Sequence, residues 1–484
     1  MTLAILAIGL IGSVSAVDVT INSNTPGGLK AAIDKVGNGE TIYLENGIYS
    51  GEDNTGFRIS KSITIPGKGN VVIDPQGKNH AFSIGNVKVT LKNLKIENAI
   101  DGNDNNSVFN TAAGAICNNH GSLTVINCTF NKNNLAIYSW KALTVKNSKF
   151  TNNNGGAIEC VGDISVSGSI FNNNGVLNNY KPVIRSSGSQ NIMGITSISK
   201  CTISKCTFTN NKCSAIENSY VNCAVSKCTF TNNKDCAITS SNSFLSVSGS
   251  TFKNNTGTGH GGAIMTYNPH RGSLSVNGCT FINNKAKYHA GAIYGSSKEK
   301  INKITVKNSK FTNNEATTHG GAIFIDSKCI LRLNSVTFKN NVEQGNNYNA
   351  IYSDKGKVYK NKVTITPKDG TKNKKGVVKK DDADSFIING KGRIGYQAFY
   401  KGDDLYTVSF SGDIPFRFHD CYKIVKNGKN MEIYAVDPTN SRMPVKLKTF
   451  KTNKDIYSFF ITTGKKYMID REKAYINKKI ERIF

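Results

Sequence analysis

Between residues 120 and 345 the apolar positions form a short alternating run, then a phenylalanine, then a second apolar pair, and the set begins again. The alternating runs are Leu123-Thr-Val125, Leu143-Thr-Val145, Ile164-Ser-Val166, Leu245-Ser-Val247, Leu274-Ser-Val276 and Ile304-Thr-Val306. A period of two predicts a strand with one face buried. The motif Phe-x-x-Asn follows, with its phenylalanines at Phe130, Phe150, Phe171, Phe208, Phe230, Phe252, Phe281, Phe311 and Phe338. Their partners are Asn133, Asn153, Asn174, Asn211, Asn233, Asn255, Asn284, Asn314 and Asn341. Successive phenylalanines are 20, 21, 37, 22, 22, 29, 30 and 27 residues apart, and the longest interval hides a partial unit in which Cys201-Thr-Ile is echoed by Cys206-Thr-Phe. The closing pair is Ala-Ile, as at Ala136-Ile137, Ala157-Ile158, Ala215-Ile216, Ala263-Ile264, Ala292-Ile293 and Ala322-Ile323.

A unit of this length holds two or three short strands and has no core of its own. It must stack on its neighbours, each strand pairing in parallel with its counterpart one unit on. Gly or Asn three residues before the phenylalanine (Asn127, Asn147, Gly168, Gly249, Gly278, Asn308) tolerates positive φ and predicts a turn there. The phenylalanine column fills the interior, and the asparagine column passes amide hydrogen bonds from coil to coil. No six-residue period is present, so a right-handed winding is expected. The expected fold class is all-β: a right-handed parallel β-helix solenoid of about 12 coils with an N-terminal capping helix, plus a small β-rich C-terminal domain.

The ends of the chain read differently. Leu3 to Val14 is a short apolar run before Val14-Ser15-Ala16, so residues 1–16 read as a secretory signal peptide. Residues 17–39 are the expected N-terminal cap, with an amphipathic helix over Gly28 to Val36 ending at Gly37. The solenoid is assigned to 40–353. Ten lysines between Lys355 and Lys380 mark a linker, 354–384. In 385–484, Arg393–Tyr400, Leu405–Phe410, Met431–Val436, Val445–Phe450 and Ile456–Ile461 read as strands, and Arg471 to Ile483 as a terminal helix.

Charge narrows the partners. Lys and Arg total 61 against 33 Asp and Glu, a formal net charge of +28. An anionic surface is therefore an expected partner. The excess is mostly lysine. Bidentate recognition of bases and phosphates prefers arginine, so no specific nucleic acid is expected. No apolar run follows the N-terminal one, so no transmembrane segment is expected after signal removal. Of 12 cysteines, Cys201, Cys206 and Cys213 are echoed by Cys223, Cys228 and Cys236. They read as small buried apolar side chains.

The Phe-x-x-Asn units with Gly-Gly-Ala-Ile (155–158, 261–264, 320–323) resemble the polymorphic surface-protein repeats of some bacteria and the Asn- and Thr-rich adhesin-like proteins of methanogenic archaea. The opening Leu29-x-x-Ala32-Ile33, then Gly39-Glu-Thr-Ile-Tyr-Leu, then Gly47-Ile-Tyr49, resembles the start of many right-handed β-helix proteins, including pectate-lyase-like enzymes. The resemblance covers about residues 28–353. It implies a secreted, cell-surface-associated chain whose partner is a cell-surface glycan or protein.

Candidate chemistry is sparse. Glycoside cleavage requires two carboxylates at a set separation. Glu159, Asp163, Glu217, Asp235, Glu315, Asp326 and Glu343 do not recur in one column; Glu159 and Glu217 each follow an Ala-Ile pair, but the coil between them has Arg185 at that place. Asp101 and Asp104 lie in a polar loop. His260, His289 and His319 do share a column, each four residues before the isoleucine of the pair, in coils with longer loops. Stacking places the outer two about 9–10 Å apart, too far for one tetrahedral metal. Tyr267, His270, Arg271, Tyr288 and Tyr294 lie near the same coils, and these eight residues form the candidate ligand-binding set. No catalytic residue, no metal and no cofactor are expected. The expected function is a non-catalytic adhesin-like surface protein; a polysaccharide lyase or glycoside hydrolase is the alternative, and a structural wall component a second one.

Overall fold

The computed structural model describes residues 17–100, 114–176, 181–188, 199–343 and 347–368 with their side chains, and strands of 371–450 as backbone. The signal-like segment, Asp101, Asp104 and the expected elements at 456–461 and 471–483 lie outside the described residues.

The chain winds as a parallel β-solenoid. Each Ala-Ile pair leads into a strand of a twelve-stranded sheet that runs, coil by coil, from Phe57–Ile59 to Ile351–Ser353. The alternating run and the Phe-centred strand form a second, longer sheet, two strands to a coil. Thr129–Asn131, for example, pairs in parallel with Lys149–Thr151, placing Phe130 opposite Phe150. The later coils add a third, narrow sheet from Thr256–Gly257, Lys285–Ala286, Glu315–Ala316 and Val342–Glu343.

Three columns hold the stack together. The nine phenylalanine rings are fully buried, with successive centroids 4.5 to 4.9 Å apart and ring planes within 15° of parallel. The ladder asparagines are also buried. Asn153 donates its Nδ2 to Asn174 Oδ1 at 2.9 Å and to the Phe130 carbonyl at 3.2 Å, while its backbone N–H donates to the same Asn174 Oδ1 at 3.1 Å. Each buried amide is thereby satisfied by the coils on either side. The small residue two before each phenylalanine repeats the device: the Cys128 N–H donates to Ser148 Oγ, and the Ser148 N–H to Ser169 Oγ, both at 3.1 Å.

Positive φ occurs where the turn was expected, at Asn127, Asn147, Gly168, Gly249, Gly278 and Asn308, and also at Lys205, Lys227 and Ser335. A second row just ahead of the ladder asparagines (Asn152, Asn173, Asn210, Asn232) was not anticipated. Asparagine tolerates the left-handed region better than most side chains, which accounts for its abundance at both corners.

The helix spans Gly28–Lys35 and buries Leu29, Ala32 and Ile33 in the core that runs through the coils. Winding starts earlier than the expected residue 40, because Val19–Ile21 already pairs in parallel with Ile42–Leu44. It also ends later. Lys357–Thr366, placed by its lysines in the linker 354–384, is a strand laid on Cys329–Lys339. Val358, Val363 and Ile365 sit opposite Leu331, Val336 and Phe338, so apolar spacing outweighs lysine content here. The structure divides the chain into two units, the second comprising 344–348 and 370–484. It contains a sequential antiparallel sheet of Ser385–Asn389, Ile394–Lys401, Asp404–Gly412, Cys421–Asn427, Asn430–Val436 and Val445–Phe450.

Candidate functional site

The residue after each Ala-Ile pair points outward from the twelve-stranded sheet, because the isoleucine before it points in. The register aligns these residues as one column: Tyr138, Glu159, Arg185, Glu217, Thr239, Met265, Tyr294, Phe324 and Tyr352. Its chemistry changes along the axis from charged to aromatic.

In the charged stretch, Arg185 Nε lies 3.4 Å from Glu217 Oε1 and both side chains are about one-third exposed. Burial holds the Glu217 carboxyl above its ordinary range; Arg185 opposes this, and Glu159 and Asp235 add to it. Glu159 and Glu217 thus stand at one coil position with Arg185 at that place in the coil between them, as their spacing from the isoleucines indicated, although no wider carboxylate column forms.

In the aromatic stretch the three histidines meet the column ring by ring. Centroids are 4.4 Å apart for His260 and Tyr294, 4.4 Å for His289 and Phe324, and 4.3 Å for His319 and Tyr352, all nearly parallel. The histidines also stack on one another, at 5.0 Å for His260–His289 and 5.5 Å for His289–His319. The result is a ribbon two rings wide. Each imidazole is held through Nδ1: the His289 N–H donates to His260 Nδ1 at 3.3 Å, Thr318 Oγ1 meets His289 Nδ1 at 2.6 Å, and His319 Nδ1 lies 4.0 Å from Glu343 Oε2. Burial lowers the His260 pKa. It pushes that of His289 down to about 4, helped by the adjacent His260 and His319. Burial also raises the Tyr294 phenol.

Rings stacked in this way cover one another's faces; Phe324 is buried among them, and the histidines, Tyr294 and Tyr352 keep only part of their surface in solvent. Parallel imidazoles send their nitrogen lone pairs side by side rather than to one point. Among the described residues there is no group of three or more His, Cys, Asp or Glu able to hold a metal ion. Tyr288 is the exception in orientation, exposed and tilted 46° to His260, with Lys287 Nζ 5.5 Å from its ring.

The expected eight-residue set divides. His260, His289, His319, Tyr288 and Tyr294 come together. Tyr267, His270 and Arg271 do not: Tyr267 ends the strand that the histidine loop begins, opposite Ser241 and Ser296. His270 faces Glu299 at 3.0 Å, and the Arg271 guanidinium lies over Phe244 at 5.3 Å. Tyr267 closes the strand and His270 and Arg271 follow it, whereas the histidines precede it, so the sheet's width separates them. Phe324 and Tyr352 were missed; their signal was the position after the Ala-Ile pair.

A family model described as a right handed beta helix region matches residues 183–316. Among solved structures the chain is similar to the catalytic domain of a GH87 alpha-1,3-glucanase in complex with tetrasaccharides (TM-score 0.50, 14% identity, 72% of this chain and 68% of that one). It is also similar to a mannuronic acid specific polysaccharide family 6 lyase enzyme from human gut microbiota (TM-score 0.39, 10% identity, 72% and 87% of the two chains). A third is the catalytic unit of a thermostable GH87 alpha-1,3-glucanase from Streptomyces thermodiastaticus strain HF3-3 (TM-score 0.39, 11% identity, 73% and 68%). No curated protein sequence matches. At these identities the likeness is one of fold: the chain is a right-handed parallel β-helix. No helix among the described residues is long and apolar enough to cross a membrane.

Proposed function

We propose that this chain is an exported, cell-surface-associated β-helix that binds an extended glycan along the outward column of the twelve-stranded sheet, without cleaving it. The ring ribbon from His260 to Tyr352 carries this reading. Its polar edges recur once per coil, about every 4.8 Å, close to the advance of one residue in an extended glycan. Tyr288 adds an exposed ring against which a sugar can pack. The glucanase domain that shares the fold holds tetrasaccharides, which makes a glycan the preferred ligand over a protein.

A specific observation favours a second reading, glycoside cleavage. Glu159 and Glu217 stand two coils apart in one column, about 9.6 Å between backbones, near the separation used by inverting glycosidases. Glu217, held up by burial, would be the acid and Glu159 the base. Binding to a glycan array, run with reducing-end and unsaturated-uronate assays, tests both. Saturable binding lost in Y288A and retained in E217Q, with no turnover, supports the binding reading. Turnover abolished by E217Q overturns it in favour of the enzyme, and absence of both leaves a structural wall role.

A further inference from the structure

The other large face of the solenoid has a different chemistry. The first strand of each coil in the long sheet turns three columns outward. The middle column is a ladder of hydroxyls from Thr90 through Thr124, Thr144, Ser165 and Thr202 to Thr305, in which Ala224 is the one position without a hydroxyl. On one side lies a column containing Lys88, Lys200, Lys303 and Lys357. On the other lies one containing Lys92, Lys146 and Lys307. From Lys88–Lys92 to Lys357–Thr366, none of these described strands contains an acid. Asp163, just ahead of Ile164, holds the place in the first of these columns one coil before Lys200, whose backbone N–H it accepts at 2.8 Å. The acids in strands of the twelve-stranded sheet, Glu159 and Glu217, are on the other face. Among these described strands the ribbon carries lysines and no acid, whereas the column of the twelve-stranded sheet carries Glu159 and Glu217 beside Arg185.

We infer that this ribbon is a docking face for an extended, carboxylate-bearing polysaccharide. The hydroxyl ladder hydrogen-bonds to the sugars and the flanking lysines hold the carboxylates. The ladder from Thr90 to Thr305 spans eight coil steps, about 38 Å, and a polymer lying along it meets Lys88, Lys92 and Lys146 toward one end, Lys200 midway, and Lys303 and Lys307 at the other end. Lysine suits this task as a compact charge that does not demand bidentate geometry. The features that would select a nucleic acid are lacking. The exposed rings on the ribbon, Phe244 and Tyr359, each already carry an arginine, Arg271 at 5.3 Å and Arg332 at 5.2 Å, which competes with bases for stacking there. The inference goes beyond the glycan site proposed above, since it concerns a second surface with a second ligand, and the protein becomes a bridge between two polymers.

The test uses the full chain and polygalacturonate as probe, with a neutral glucan of matched length, single-stranded DNA and phosphatidylglycerol vesicles beside it, at low and high salt. The expected result is binding to polygalacturonate that weakens at least about tenfold at high salt, as exposed charges require. The triple variant K303E/K307E/K357E should lose about tenfold or more in affinity, and K303Q/K307Q/K357Q a smaller amount in the same direction. Removing ladder hydroxyls in T202V/S246A/S275A should weaken binding several-fold at unchanged charge. Y288A should leave it unaltered, so failure here and failure of the ring-ribbon site are separately visible. Circular dichroism and a thermal melt confirm that each variant folds. Equal binding of the neutral glucan, no effect of charge reversal, or equally tight binding of DNA or vesicles with no effect of hydroxyl removal would overturn the inference.

Discussion

Asn174 Oδ1 accepts two hydrogen bonds from Asn153 one coil earlier, from its backbone N–H at 3.1 Å and its side-chain amide at 2.9 Å. Asn174 in turn donates its Nδ2 to Asn211 Oδ1 at 3.2 Å and to the Phe150 carbonyl at 3.0 Å. One side chain thus serves three coils. N174A strands a buried N–H, a buried amide and a buried carbonyl, and should destabilise the solenoid by about 3 kcal/mol. Its urea midpoint should fall well below that of N232A, a turn asparagine at the surface. Equal midpoints would show that the ladder contributes no more than the corner.

The phenylalanine column makes a parallel prediction through packing. Phe208 lies between Phe171 at 4.7 Å and Phe230 at 4.9 Å with no solvent exposure. F208A should cost about 3–5 kcal/mol, and F208L clearly less, because leucine refills part of the cavity. Chemical denaturation followed by tyrosine fluorescence and circular dichroism measures both. A loss below about 1 kcal/mol for F208A would mean that the column does not pack as described.

His289 sets a pH dependence. The unfolded chain takes up a proton at this position near pH 6.5, whereas the folded one resists it until about pH 4. The unfolded state therefore binds more protons between these values, and stability falls as pH drops through that window. The groups packed around it are His260, His319, Thr318, Tyr294 and Phe324, and Glu343 faces His319. H289F keeps a ring in the stack and removes the titration, so its melting temperature should change less between pH 7 and pH 4.5 than that of the wild type. An unchanged pH profile in H289F would contradict the assignment.

The coil cysteines should be chemically silent. Burial pushes the Cys128 thiol up to about 11 and those of Cys160 and Cys213 to about 12. The reactive thiolate is thus suppressed and access is closed. Peptide mapping after iodoacetamide at pH 8 should find these three unlabelled in the native protein and labelled in denaturant. Rapid native labelling would contradict their placement.

The coil repeat was legible because the core reuses one letter per position. Phenylalanine stacks best on phenylalanine, and a ladder asparagine needs an asparagine above it, so the chain repeats Phe-x-x-Asn openly. The outward column does not repeat. Glu159, Arg185, Glu217, Thr239, Met265, Tyr294, Phe324 and Tyr352 share a register and little chemistry, so the site had to be read from position rather than from identity. Composition obscured the last coil in the same way: the lysines of Lys357–Thr366 look like a linker until Val358, Val363 and Ile365 are counted against the coil before. Proximity in sequence also grouped Tyr267, His270 and Arg271 with the histidines, although they lie at and beyond the far end of the strand that the histidine loop begins.

The ring ribbon is periodic along the solenoid axis, and its ligand should be periodic too. Titration calorimetry with a graded series of oligosaccharides, from one sugar upward, drawn from whichever glycan binds best, measures this directly. The account predicts an affinity that tightens with each added sugar until the chain spans Tyr294 to Tyr352 and then levels off, with Y288A lowering the whole series. An affinity indifferent to length, or a series untouched by Y288A, would contradict it.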